Sequence, residues 1–453
     1  MIEKLFHLKE NNTNARTEVI AGLTTFMTMA YILAVNPTML SAAGMDSTAV
    51  LIATCLASFV GTMAMALLAN YPFALAPGMG LNAYFAYTVC GNMGYSWKVA
   101  LMAVFVEGII FIILSLTNVR EAIFNAIPAS LKVAVSVGIG LFIAFIGLQN
   151  SGLCVDSATL VGIISFPENF HTAGICALLT LIGLFFTAVF YTRKMKGAIL
   201  YGILLTWILG MLCQVTGLYV PTPDAGFYSL FPSWGMTDFS KLGLTFGQCF
   251  NVDFSAVGIV NFIVVIFSFL FVDIFDTLGT LIGVATKAKM LDKDGKLPGI
   301  KPALLADSIA TSAGAILGTS TTTTFVESAS GVAVGGRTGL TALVTGILFL
   351  VSTLFAPIFT AIPSFATAPA LIMVGFLMVG TVTEINFDLD NLTESIPAYL
   401  AIIAMPLFYS ISEGISMGVI SYVLLNVAAG KGKKVAPLMY VLAVLFVLKY
   451  IFL

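Results

Sequence analysis

Six carboxylates fall inside apolar stretches of the chain: Glu107, Asp273, Asp276, Asp307, Glu327 and Glu413. At membrane depth such a residue costs ~2.5–3.5 kcal/mol on insertion scales and marks a functional position by default. Neither histidine joins them, because His7 lies in the polar N-terminal tail and His171 between apolar runs. Proton handling inside those stretches therefore falls to carboxylates. Asp273 and Asp276 occur in FVDIFDTLGT, three residues apart, and so share one helix face. Like charges that close disfavour double ionisation, which suits a site that takes up and releases a proton. Glu327 follows a threonine run, where a carboxylate beside irregular backbone can receive the N–H groups of a ligand. Asn82, two residues after Gly80, offers a donor and an acceptor side by side, the pair with which an amide reads a purine edge in nucleic acids. Glu107, in a run of large apolar residues, is expected to pair with a distant polar group. Asp307 is expected to cap or anchor its span, and Glu413 to sit at a turn between two spans.

Other chemistry is absent. The stretch Gly78–Ala83 has the spacing of a dinucleotide fingerprint but lacks the strand–turn–helix context. No phosphate-binding loop occurs, and the six cysteines form no metal-type C-x-x-C pair. No cofactor and no metal are expected. A bridge between Cys154 and Cys249 is left open.

The elements that position the carboxylates follow from composition. Of 453 residues, 59% are hydrophobic and only 9% charged. A soluble domain carries about 25% charged residues. A water-soluble enzyme, a nucleic-acid binder and a disordered chain are excluded, leaving an all-α polytopic membrane protein with room for about 12–15 spans. The apolar runs are Val19–Asn36, Ala49–Ala69, Phe73–Val89, Val99–Leu116, Val133–Leu148, Ala173–Tyr191 and Ala198–Leu218. After a long loop come Val257–Ala285, Ala303–Leu317, Thr321–Gly335, Leu340–Ile362, Ala370–Val382, Ile396–Ser410 and Ile415–Ala429. That predicts fourteen segments, with Pro437–Leu453 left over to lie along the interface or pack as an extra helix. Threaded from a cytoplasmic N-terminus, the inner side receives Lys4, Lys9, Arg16, Arg120, Lys132 and the clusters Arg193–Lys196, Lys287–Lys301 and Lys431–Lys434, with Arg337. The outer side receives only Lys98 and Lys241. Such asymmetry is what the positive-inside rule demands. The N-terminal tail carries no cleavable signal pattern.

Seven is odd, so a duplicated unit of seven enters the membrane the second time with opposite orientation, an inverted repeat. The expected division is 1–218 for the first repeat, 219–256 for an external connecting loop and 257–453 for the second repeat with its C-terminal helix. The third and tenth segments do not read as ordinary helices. FALAPGMGLNAYFAYTV has Pro77, Gly78 and Gly80 near its middle, and TTTTFVESASGVAVG opens on β-branched residues. Irregular backbone at membrane depth survives only where it is buried in protein or lines a wet cavity. Interrupted spans at corresponding positions of two halves point to a transporter's binding site.

The segments ALAPGMGLNAYF, FLFVDIFDTLGTLIG and TSTTTTFVESASGVAVGGRTGL resemble the nucleobase–cation symporter family two, and within it the AzgA-like adenine–guanine–hypoxanthine permease branch. RTEVIAGLTTFMTMAYILAVNP and IPAYLAIIAMPLFYSISEGISMGVISYVL fit the same branch, so the likeness covers nearly the whole chain. The resemblance implies a core domain from segments 1–4 and 8–11, a gate domain from segments 5–7 and 12–14, and short strands in segments 3 and 10. It implies base binding by Asn82, Asp273 and Glu327, joined by Gly80, Thr277 and Ser328, and proton coupling among Asp276, Asp273 and Glu327. Thr277 stands where bacterial uracil permeases carry a histidine, which favours a 6-substituted purine over uracil. The implied partners are a purine nucleobase, a proton and the lipid bilayer of the cell membrane, with a homodimer left open and no nucleic acid. Two other cargoes fit the same fold: uracil or xanthine, and a sulfate- or dicarboxylate-type anion. An anion site would favour half-helix N-termini and cations, and three carboxylates speak against it.

Overall fold

The computed structural model describes residues 2–117, 119, 126–157, 160–222, 226–232, 235–253, 257–287, 290 and 297–452. Arg120, Lys289, Lys293 and Lys296 of the charge count lie outside these residues. Among the described residues, eleven helical stretches are long and apolar enough to cross a membrane. Large apolar side chains such as Ile113, Phe185 and Phe376 point outward from them, as a lipid-facing surface requires. The chain is a multi-pass, all-helical membrane protein.

Local chemistry starts these helices where the sequence changes from polar to apolar. Asn14, Asp46 and Ser96 each accept a backbone N–H from the first turn of Ala15–Met29, Ser47–Ala64 and Trp97–Leu116. The first stretch is broken at Ala30–Tyr31 and resumes as Ile32–Ser41.

Neither stretch singled out for its irregular composition is a continuous helix. The first is a strand, Leu75–Pro77, then a short helix, Met79–Ala83, then a wider π-type helix, Tyr84–Asn92. The second is a strand, Thr322–Thr324, then the helix Ser328–Val334. The strands pair antiparallel, with Leu75 opposite Thr324, Ala76 opposite Thr323 and Pro77 opposite Thr322. Backbone groups around this two-stranded ribbon find partners inside the protein, as burial away from water demands. The Gly78 N–H donates to the Thr321 carbonyl at 3.0 Å, and the Phe325 N–H to the Ala74 carbonyl at 3.0 Å. Thr62 accepts the Leu75 N–H at 2.9 Å, Ser328 Oγ accepts the Ala74 N–H at 3.0 Å, and Thr311 donates to the Thr322 carbonyl at 3.1 Å.

Helix Ile300–Leu317 packs on Trp97–Leu116 and Ser47–Ala64, and Gly339–Ser352 on Ala15–Met29 and Ser47–Ala64. On the other side, Ser364–Val379 packs on Ala129–Asn150 and Ile175–Thr192, and Leu392–Leu407 on Ile411–Ala428 and Ala129–Asn150. Small residues permit the closest crossings: a Cβ on Gly140 would stand 2.7 Å from Cβ of Met378.

Four expectations resolve here. The leftover C-terminal run forms the helix Pro437–Phe452 and packs against Ile411–Ala428, with Phe446 buried against Phe267 and Phe271. Glu413, expected at a turn, lies in the first turn of Ile411–Ala428, where its Oε1 pairs with Nζ of the buried Lys449 at 2.5 Å. Asp307 does not cap its helix. It lies within Ile300–Leu317 and is fully buried. All six cysteines are free, so Cys154 and Cys249 are unbridged, and Cys154 instead opens a strand paired with Leu160–Ile163.

Candidate functional site

Because the paired strands run antiparallel, their two short helices leave the ribbon from opposite ends. Both helix N-termini therefore lie at the ribbon, with the positive ends of their dipoles toward it. The third contributor is the helix Ile259–Lys287, which crosses beside Thr322–Thr324.

Glu327 immediately precedes the helix Ser328–Val334, and its Oε1 accepts the phenol O–H of Tyr31 at 2.7 Å. Asp276 Oδ2 accepts the hydroxyl of Thr323 at 3.2 Å. A Cβ on Gly78 would lie 3.0 Å from Asp276 Oδ2 and 3.1 Å from Thr323 Oγ1, so glycine keeps the space before this carboxylate open. Asp276 stands within electrostatic reach of Glu327 and Asp273, and Tyr31 within reach of both Glu327 and Asp276. Asp276 and Glu327 are half-buried, whereas Phe275, Thr277, Phe325 and Ser328 are buried. Asp276 with Thr323 and Gly78, and Glu327 with Tyr31, thus lie beside the ribbon, and the partial exposure of the two carboxylates marks an opening there, the crevice.

Asp273 is buried more deeply, within electrostatic reach of Asp276. It is fully buried and accepts the Thr277 hydroxyl at 2.6 Å, while both Asp307 oxygens stand 3.2 Å from the same Thr277 oxygen. Asp273, Thr277 and Asp307 therefore form a cluster between Ile259–Lys287 and Ile300–Leu317. The sequence reading gave Asp273 and Thr277 to the base. Positions three apart share a helix face only approximately, and here the neighbouring helix packs over the Asp273 side of that face.

Asn82 is fully buried at the Pro77 end of the ribbon. Its Nδ2 donates to the Pro77 carbonyl at 3.4 Å and its Oδ1 accepts from Ser320 Oγ. Gly80 faces another way, since a Cβ there would lie 3.0 Å from Ile139 and 3.5 Å from Ile411. It allows close approach of the helices Ala129–Asn150 and Ile411–Ala428, while Gly78 does so for the carboxylate. Ser328 uses its hydroxyl oxygen on the strand, through the Ala74 N–H. Glu107 does find a distant polar partner: its Oε2 accepts the Thr321 hydroxyl at 2.9 Å.

Sequence reasoning missed Tyr31 and Glu18, and noted Gly78 and Thr323 only as parts of the interrupted spans. The carboxylate of Glu18 is fully buried and accepts the N–H groups of Arg337, Thr338 and Thr341 at 2.9, 3.3 and 3.2 Å, with the Thr341 hydroxyl at 2.6 Å. This is an anion at a helix N-terminus, and it ties Ala15–Met29 to the start of Gly339–Ser352. Glu18 lies at the polar edge of the first apolar run, where nothing distinguishes it from a solvated residue. A cavity of about 500 Å³ lies away from these carboxylates, lined by Gln149, Asn150, Tyr219, Phe227, Ser364 and Phe365 among others.

Two interrupted segments meeting in a buried ribbon, with half-buried carboxylates beside it, define a membrane carrier of the inverted-repeat type. The chain belongs to the Permease family (Xan_ur_permease), which matches residues 16–445. It is 48% identical over 453 residues to the permease MJ0326 of Methanocaldococcus jannaschii, covering all of this chain and 98% of that protein. Identity is 47% to the guanine/hypoxanthine permease PbuG of Bacillus subtilis, with both chains covered in full. It is 42% to the adenine permease AdeP of Escherichia coli, covering all of this chain and 96% of that one. Its fold is that of the transmembrane domain of the cyanobacterial bicarbonate transporter BicA, with a TM-score of 0.62 at 15% identity over 89% of this chain and 97% of that one. The shared fold is of the seven-plus-seven inverted-repeat type.

Proposed function

We propose that this chain is a secondary active transporter of purine nucleobases, not an enzyme, and that it imports adenine, guanine or hypoxanthine with protons by alternating access. The observation that carries this reading is the crevice beside the ribbon, where Asp276 and Glu327 are the half-buried carboxylates. A neutral purine is flat, with N–H donors and ring acceptors on its edges. Carboxylates accept the donors in charge-assisted hydrogen bonds, and half-helix N-termini and strand edges complement the acceptors. Full-length relatives that are permeases for guanine, hypoxanthine and adenine support the cargo, and with it our assignment to the adenine–guanine–hypoxanthine branch.

The finer architecture is fourteen segments in repeats 1–218 and 257–453, joined by the external loop 219–256. Segments 1–4 and 8–11 make a core domain, and segments 5–7 and 12–14 a gate domain. The two sets of helix packing described above support that split. The N-terminus is cytoplasmic and the membrane is the cell membrane, on the Lys/Arg distribution. A homodimer would carry two independent sites.

Asp276 and Glu327 take the base, with Asn82 shaping the far end of the ribbon. Asp273, one turn behind Asp276 and bridged to Asp307 through Thr277, exchanges the coupling proton. A proton on the cluster lowers the charge of the loaded site, so base and proton cross together as the gate rocks against the core. A bicarbonate-transporter fold raises the anion alternative, but two carboxylates facing the crevice repel an anion. Uptake of radiolabelled adenine, guanine, hypoxanthine, uracil, xanthine and sulfate into proteoliposomes, with and without a protonophore, tests the reading. Saturable purine uptake collapsed by the protonophore is expected. Sulfate uptake, or purine uptake indifferent to the protonophore, would overturn it.

A further inference from the structure

We infer that Tyr31 is a positioning residue that presents Glu327 to the transported base; this rests on the purine reading of the crevice. Tyr31 is 1% exposed and sits at the break between the helices Ala15–Met29 and Ile32–Ser41. Its single phenol hydrogen goes to Glu327 Oε1 at 2.7 Å, the short end of the range for a hydroxyl bonded to a carboxylate. A carboxylate at the end of a flexible side chain turns freely unless one oxygen is held. With Oε1 committed to Tyr31, the plane of the group is set and Oε2 keeps its lone pairs for a ligand N–H.

The contact is built into a rigid frame. The helix Ala15–Met29, just before Tyr31, and the short helix that follows Glu327 are clamped together. A Cβ on Gly331 would collide with Thr25 Oγ1 and with the Ala21 carbonyl, so the two helices touch at backbone distance. Further along, Glu18 takes the N–H groups of Arg337, Thr338 and Thr341. Three successive ties, at Tyr31, Gly331 and Glu18, hold the phenol and the carboxylate in register. Tyr31 thus fixes the geometry of binding without supplying a group to the base.

The test uses the full chain, purified and reconstituted, with adenine, guanine and hypoxanthine as probes. Tyr31→Phe removes only the hydroxyl and keeps the ring packing. We expect Kd for the best-bound purine to rise about tenfold, as for one lost charge-assisted bond, with counterflow Vmax within about twofold of the parent. In an E327Q background the same Y31F change should cost little more, because the partner it orients is already altered. A second readout needs no ligand: the infrared carboxylate stretch should shift between parent and Y31F, and the shift should vanish in E327Q. Parent affinity in Y31F, full additivity with E327Q, or an unmoved carboxylate band would each overturn the inference. A folded parent that binds none of the three purines while Y31F still moves the carboxylate band would sink the purine reading instead.

Discussion

The two interrupted segments meet in one ribbon but are made of opposite materials. In the first, every residue from Pro72 to Ala86 is buried, and Asn82 turns its amide onto its own surroundings at Pro77 and Ser320. In the second, consecutive threonines reach sideways to three different helices: Thr321 to Glu107, Thr322 through its carbonyl to Thr311, and Thr323 to Asp276. Glu327 then faces the crevice. An inverted duplication has kept the same backbone device twice while the side-chain chemistry has separated. One copy supplies shape and close approach, and the other supplies hydrogen bonds and charge.

If that division is right, the largest effect belongs to Glu327→Gln. It removes a charge-assisted acceptor worth ~1.5–3 kcal/mol, so purine Kd should rise roughly 10–150-fold by equilibrium binding. Asn82→Ala should cost clearly less, and a loss as large as that of E327Q would break the comparison. Next comes the pair of aspartates on Ile259–Lys287. Asp276→Asn should raise Kd about tenfold, one charge-assisted bond. Asp273→Asn should leave binding and counterflow near the parent level while lowering accumulation driven by an imposed pH gradient. The reverse pattern would return Asp273 to the base.

The glycines sharpen the comparison within the first segment. Gly78→Ala places a methyl against Asp276 and Thr323, so KM should rise severalfold. Gly80→Ala places it against Ile139 and Ile411, so the maximal transport rate should fall while affinity holds. Equal effects of both on KM would show that the two glycines face one space. The smallest effect is expected for Thr323→Val, which deletes one neutral donor to Asp276, ~0.5–1.5 kcal/mol or about 2–10-fold in Kd.

Sequence alone reached far into this fold for a physical reason. Membrane burial forbids irregular backbone except where protein covers it, so Pro77, Gly78 and the threonine run had few structures open to them. Charge placement and span length did similar work for the helices. The site was legible as residue types but not as facings. Asp273 and Asp276 differ by less than a turn, and which one meets the crevice depends on where Ile300–Leu317 packs, which no local pattern records. Tyr31 was invisible for a related reason: in MAYILAVNP it reads as one more large residue in an apolar run, and only the fold brings it to Glu327, nearly three hundred positions later. Glu327 stood out in the sequence because a carboxylate in an apolar run is rare, although Glu107 and Glu413 show that such a group can also serve a structural pairing.

The ribbon also bears on how the protein is made. Leu75 pairs with Thr324, a residue more than half the chain away. When the first interrupted segment leaves the ribosome and enters the bilayer, its strand has open backbone groups and no partner. Thr62 and its neighbours in Ser47–Ala64 can shelter part of that edge, but the partner strand is synthesised only in the second half of the chain. The early half must therefore wait in the membrane in a form that differs from its final one, held by helix contacts alone. Substitutions that weaken the ribbon would then be felt first during biosynthesis, as chains recognised and degraded before a site exists, and only afterwards as a defect in the mature carrier.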